Sequence, residues 1–167
     1  TYLKTIFPNL KKIKLSKYKK EDIANNFRIL QGGEINQYVI PWIKYNKPQI
    51  SPEINNRIEM ASKISINEIN AAKAFRKTLI KEVNNSLPEG DIALFPTAPF
   101  SAPICGQTDE ALGSDRKKIM EMTSIAGMTS RPQISIPKFK GKTGPVGISI
   151  LGWINSDEIL LNKLTEI

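Results

Sequence analysis

The 167-residue chain is 40% hydrophobic and 24% charged, an ordinary globular balance that excludes a disordered segment and is enough for one domain with its own core. One cysteine, Cys105, and no histidine exclude an internal disulfide and a Cys-His zinc set, so no metal and no cofactor are expected. The formal charge of +8 is local: seven lysines and no acid fall in residues 1–20, leaving +1 (8 − 7) for the rest. With only Tyr2, Phe7 and Tyr18 beside them, these lysines read as a solvated face, and no specific nucleic-acid partner is expected.

No apolar run approaches the roughly 20 residues of a membrane span, and the N-terminus has no signal-peptide pattern. The expectation is a cytoplasmic protein without membrane partners. The chain opens on Thr1 rather than methionine, so an excised or truncated segment is expected.

In chain order, Ile13 and Leu15 alternate with lysines over 11–16 and predict a short strand with one buried face. Glu21 and Asp22 open a helix carrying Ile23, Phe27 and Leu30, with Gly32-Gly33 as its stop. Glu34 to Tyr45 is a second amphipathic stretch, interrupted by Pro41. Ser51-Pro52-Glu53 starts a helix, since serine caps free amides, proline fits the first turn and glutamate suits the positive dipole end. A capping-box spacing, Ser65 to Glu68, predicts a break near Ile64 and a long helix from Ile66 to about Asn85 with Ile69, Ala72, Leu79 and Val83 as its apolar stripe.

The apolar run Ile92 to Phe95 predicts a buried central strand, followed by a loop holding Pro96, Pro99 and Pro103. A helix from Asp115 to Gly127, strands at 133–136 and 146–151, and a last helix capped by Ser156, Asp157 and Glu158 complete the order. Strands separated by helices predict an α/β fold, a mixed β-sheet flanked by helices. The glycines at 141, 144 and 147 make no phosphate cradle, because no helix with a Lys-Ser/Thr start follows them.

Three proline- and glycine-punctuated segments stand out: Asp91 to Pro99, Ser124 to Pro137 and Gly144 to Gly152. Their order resembles the C-terminal part of amidase signature enzymes. The likeness extends upstream through Phe27 to Glu34, Trp42-Ile43, Lys47-Pro48, Pro52 and Arg57, which resemble a subgroup that includes indole-acetamide hydrolase-like proteins. The resemblance implies that all of 1–167 is a single C-terminal segment of an amidase domain, incomplete relative to the family. That family hydrolyses carboxamide C–N bonds with a serine, a second serine in a cis peptide and a lysine. Their Gly/Ser-rich segment normally lies upstream of these motifs, and none is found here. Ser62-Lys63 lies in helical sequence without the glycines of a nucleophile loop, so it reads as a surface pair and no catalytic residue is assigned.

The resemblance further implies that two segments line the acyl pocket, giving Ile29, Leu30, Gln31, Met120, Thr123 and Ser124 as substrate-pocket candidates, with simple core packing as the equal alternative. In glutamine-specific amidotransferase A subunits the first segment carries an arginine for the substrate carboxylate, and this chain reads Ile29 there. An apolar side chain cannot pair a carboxylate, so the resemblance favours an apolar or aromatic amide. The implied partners are the N-terminal catalytic half of the same amidase and a small-molecule amide, with a homo-oligomer possible for the isolated segment. The alternatives are an amidotransferase A-subunit fragment and a non-catalytic amidase-like scaffold.

Overall fold

The computed structural model describes residues 8–103, 105–141 and 144–164. Lys4, Tyr2 and Phe7 lie outside them. Helix α1 (Lys20–Glu34) is followed without a break by a π-helical turn, Ile35–Val39, and by α2 (Ile40–Asn46). Gly32-Gly33 therefore does not stop the helix. A side chain at 32 would collide with Ile64 Cδ1, and one at 33 would stand 2.9 Å from Ile69 Cδ1. The pair lets neighbouring side chains reach the α1 backbone rather than turning the chain. The wide turn falls just ahead of Pro41, whose missing N–H and ring disturb the preceding turn, and Ile40 N–H bonds to Ile35 O instead.

Helices α3 (Pro52–Ser62) and α4 (Ile66–Ser86) begin where their caps predict. Ser51 Oγ accepts from Ile54 N–H, and Ser65 with Glu68 forms a complete capping box. On α4 the apolar stripe is buried at Ala72, Leu79 and Val83. Leu79 and Val83 join Ile23 of α1 and Met128 of α5 (Asp109–Thr129) in one core, with Tyr18, Phe27, Leu30 and Phe75 around it. Helix α5 starts six residues before the predicted Asp115, because Thr108 Oγ1 accepts from Ala111 N–H and caps it. Its C-terminus is held from α4, where Arg76 donates to Met128 O (3.0 Å) and Ser130 Oγ (2.9 Å). Ser130 itself adopts the left-handed conformation that ends the helix.

Three strands, β1 (Ala93–Pro96), β2 (Gln133–Lys140) and β3 (Pro145–Leu151), pair antiparallel in the order β1-β3-β2. Here β3 is the central strand. Strand β1, expected at the centre, pairs only with β3 and lies at an edge among the described residues. Residues 11–16 form no strand despite their alternation, because a pattern of side chains gives no ladder without a neighbouring backbone to bond. Below β1, Leu87, Ala93, Ala126 and Leu151 build a second core that shares Ile125 with the first. Helix α6 (Asp157–Leu164) closes the chain with Leu160 buried, while the Ser156 hydroxyl donates to Trp153 O rather than facing the helix start.

The described lysines of the N-terminal run are exposed, as expected. Two are nevertheless anchored. Lys17 Nζ sits 2.9 Å from Glu82, which also accepts from Ser16 Oγ at 2.8 Å, and Lys20 Nζ lies 3.2 Å from Glu121. The Lys17 ammonium and the Ser16 hydroxyl hold the Glu82 carboxyl below its ordinary value. A depressed carboxylate stabilises the fold above its unfolded pKa and loses that contribution as pH falls through the folded one. We expect the Lys17 amide resonance to move as acid releases this clasp below pH 4.5, the ordinary carboxyl value. Glu82→Gln should abolish that titration, and an unchanged profile in the variant would assign the shift elsewhere.

Candidate functional site

The accessible surface is 11438 Å² for 18.7 kDa, whereas a compact monomer of this mass exposes about 8,300 Å². Trp42, Ile54, Met60, Ile66 and Leu161 are among the exposed large hydrophobic residues. One concave region accompanies them, a groove of about 1230 Å³ around the unpaired edge of β1. Residues 8–16 and Tyr18 form one wall, and Leu94, Phe95, Met122, Ile125 and Ile150 are among the apolar groups of the other. Glu121 stands in this lining with its side chain only 9% exposed, and Lys20 crosses from the opposite wall to pair with it. A carboxylate so enclosed needs its partner, since desolvation disfavours the lone charge. Sequence reasoning missed Glu121, although an acid between Met120 and Met122 on an apolar helix face was a visible signal.

The two segments proposed for the acyl pocket lie on α1 and α5, which pack against each other. Leu30 belongs to the first core, Ile29 is half-buried and Gln31 is exposed. On α5, Met120 and Thr123 are half-buried, with Thr123 Oγ1 donating back to Ile119 O at 3.0 Å. Ser124 is 3% exposed and its hydroxyl has no hydrogen-bond partner. None of the six lines the groove, which α5 meets through Glu121, Met122 and Ile125. Ser62 and Lys63 are both exposed, with Ser62 Oγ donating to Glu59 O.

A polar node lies on the face of the sheet that carries Ala93, Phe95 and Leu151. Thr97 Oγ1 is 2.8 Å from both Ser135 Oγ and Ser149 Oγ, and Gln133 Nε2 donates to Ser149 Oγ at 2.7 Å. Ser135 and Ser149 are direct partners across β2 and β3. Thr97 is brought over by its N–H bond to Gly147 O. At Gly147 a Cβ would stand 2.5 Å from Ser135 Oγ and 2.9 Å from Thr97 Oγ1, so only glycine lets the two hydroxyls close over the β3 backbone.

The arrangement of antiparallel strands flanked by helices is found in solved amidase structures. A crystal structure of an amidase superposes on 93% of this chain and 37% of its own, with a TM-score of 0.75 and 19% identity. A bacterial aryl acylamidase of the amidase signature family matches 87% of this chain and 33% of its own, at a TM-score of 0.65 and 19% identity. The fold is that of the C-terminal part of amidase signature structures. By sequence it is related to amidases directly: it is 31% identical over 145 residues to Amidase 1 of Arabidopsis thaliana, covering 87% of this chain and 34% of that protein. The chain thus spans about a third of the length of that protein. No family model matches the chain.

Proposed function

We propose that the chain is the C-terminal portion of an amidase that hydrolyses a carboxamide C–N bond when combined with an N-terminal catalytic region. That region would carry the serine, second serine and lysine and would cover the groove at β1. The observation that carries this reading is the relationship to Amidase 1 over one third of its length, together with a largely apolar groove beside the edge of β1 that faces away from β3, open among the described residues. An open edge and an uncovered apolar wall are costly in water and complete themselves by pairing. Within the completed enzyme, Ile29, Leu30, Gln31, Met120, Thr123 and Ser124 would contribute to the acyl side of the pocket from α1 and α5. Half-buried Ile29 in the place of the amidotransferase arginine favours an apolar or aromatic amide over glutamine, which leaves the amidotransferase A subunit as the second reading.

The isolated chain should turn over no aliphatic or aryl amide, because an amidase without nucleophile and base keeps at most weak binding effects. Expressed together with the region encoded upstream of it, the same chain should hydrolyse such amides. Turnover by the chain alone overturns the proposal, because the chain would then be catalytic by itself; an upstream region without the serine and lysine set overturns it in favour of the scaffold reading. Alone, the chain should also self-associate through the β1 edge, burying on the order of 1,000 Å² or more. A monodisperse monomer in sedimentation, binding no apolar dye, would show a domain that closes its own core.

A further inference from the structure

We infer that the groove beside β1 is a slot for one further β-strand, a continuous apolar run of about five residues that pairs with the open edge of β1 through the backbone of Ile92, Leu94 and Pro96. The inference deepens the amidase reading and rests on it for the source of that strand, the region encoded upstream.

The strand register fixes which backbone groups are free. Thr97 N–H donates to Gly147 O and continues the pairs Phe95↔Ser149 and Ala93↔Leu151, so in an antiparallel ladder residues 93, 95 and 97 turn their N–H and C=O toward β3. Ile92, Leu94 and Pro96 point theirs the other way. Gly152, which stands opposite Ile92, agrees: its N–H goes to Pro132 O on the far side of β3. The open edge therefore offers a donor and an acceptor at both Ile92 and Leu94, and ends at Pro96, which has a carbonyl and no N–H. Across the groove, residues 10–15 make no backbone hydrogen bond among the described residues, although Ile13 and Leu15 alternate with lysines as in a strand. Two unpaired backbones thus border one gap of about 1230 Å³.

The lining describes the side chains that the strand must carry. Ala93 and Phe95 face α5, from which Met122 and Ile125 reach the groove. Leu94 lies on the opposite face with its neighbour Ile150, where Ile134 and Leu160 complete the lining. A strand in the plane of the sheet sends alternate side chains to both faces. Both are apolar, so its sequence is a continuous apolar run rather than an alternating one. Charge sets its flank: Lys11, Lys12, Lys14 and Lys20 border the groove against Asp91 and Glu121, an excess of two positive charges (4 − 2) that favours an acidic residue beside the run. A second copy's β1 is already bonded to its own β3 along one edge and cannot serve both walls. A separate strand can.

The test is site-resolved amide hydrogen exchange on the chain coexpressed with its upstream region, and on the chain alone, diluted until sedimentation shows a monomer. In the monomer Phe95 N–H, bonded to β3, should be protected while Ile92 and Leu94 exchange freely; in the assembly Ile92 and Leu94 should slow by at least about tenfold. Phe95 is the internal control. Leu94→Pro deletes an outward N–H and no bond to β3, so the monomer should keep its sheet while its affinity for the upstream region falls about tenfold, the loss of one hydrogen bond. Should that variant lose the protection at Phe95, Ile92→Pro makes the same deletion just outside β1. Leu94 exchanging as fast in the assembly as in the monomer, or undiminished affinity in a folded proline variant, overturns the slot. Protection of Leu94 that rises with the concentration of the isolated chain to the level of the assembly gives the groove to a second copy and overturns it as well. The two readings fail separately: amide turnover by an assembly with Leu94 unprotected sinks the slot alone, and a protected Leu94 in an assembly that hydrolyses no amide sinks the amidase alone.

Discussion

Replacing Arg131 by alanine should destabilise the fold by about 3–5 kcal/mol, the cost of breaking a buried hydrogen-bonded charge. Arg131 is 6% exposed and ties three elements together. Its Nη1 donates to Gly152 O at 2.9 Å after β3, and its Nη2 donates to Asn84 Oδ1 (2.9 Å) and Leu87 O (2.8 Å) at the end of α4. Alanine would leave two backbone carbonyls without their donor inside the protein and open a void between the sheet and α4. Lysine keeps the charge but cannot reproduce the planar fork, so Arg131→Lys should recover only part of the loss. Urea unfolding measures both. A midpoint for Arg131→Ala within error of the parent would mean that the clamp is dispensable.

Leu79→Ala should cost about 2–5 kcal/mol, the range for emptying a fully enclosed leucine site. Leu79 is 0% exposed where α1, α4 and α5 meet, in contact with the cluster of Ile23, Val83 and Met128. Helix α5 carries both Met128 of this core and Ala126 of the one beneath β1, so loosening it should reach the sheet as well. Trp42→Ala is the control: Trp42 is larger but 56% exposed, and its loss from the isolated chain should stay within about 0.5 kcal/mol. Equal losses for the two would contradict the placement of the core.

Features governed by a few neighbouring residues were legible in the sequence. Ser51 and Ser65 cap their helices as their spacing predicts, since a cap needs only a side-chain oxygen and an amide three residues on. The stripe of Ala72, Leu79 and Val83 was readable because one face of a helix repeats every 3.6 residues. The start of α5 was written in Thr108-Asp109-Glu110 and was overlooked behind the proline loop. The family likeness was legible too, because the prolines and glycines of the three segments fix turns locally.

What the chain alone could not specify depends on which backbones meet. Alternation at Ile13 and Leu15 describes a strand, yet a strand exists only if another backbone lies alongside, and none does at 11–16 among the described residues. Continuous apolar sequence at Ile92 to Phe95 says that β1 is buried by something, whereas only the pairing shows β3 at the centre and β1 at the rim of a groove. Gly32 and Gly33 read locally as a stop, but Ile64 and Ile69 reach in from 32 and 36 residues away (64 − 32 and 69 − 33) to occupy the missing side-chain space. The Gln133, Ser149, Thr97 and Ser135 node joins residues up to 52 positions apart. The Ser51 and Ser65 caps, the apolar stripe of α4 and the family likeness could be read locally, since they follow from contacts within a turn or two. The strand order, the groove and the polar node emerge only in the folded chain, because hydrogen bonds and packing between distant segments exist only after it has closed on itself.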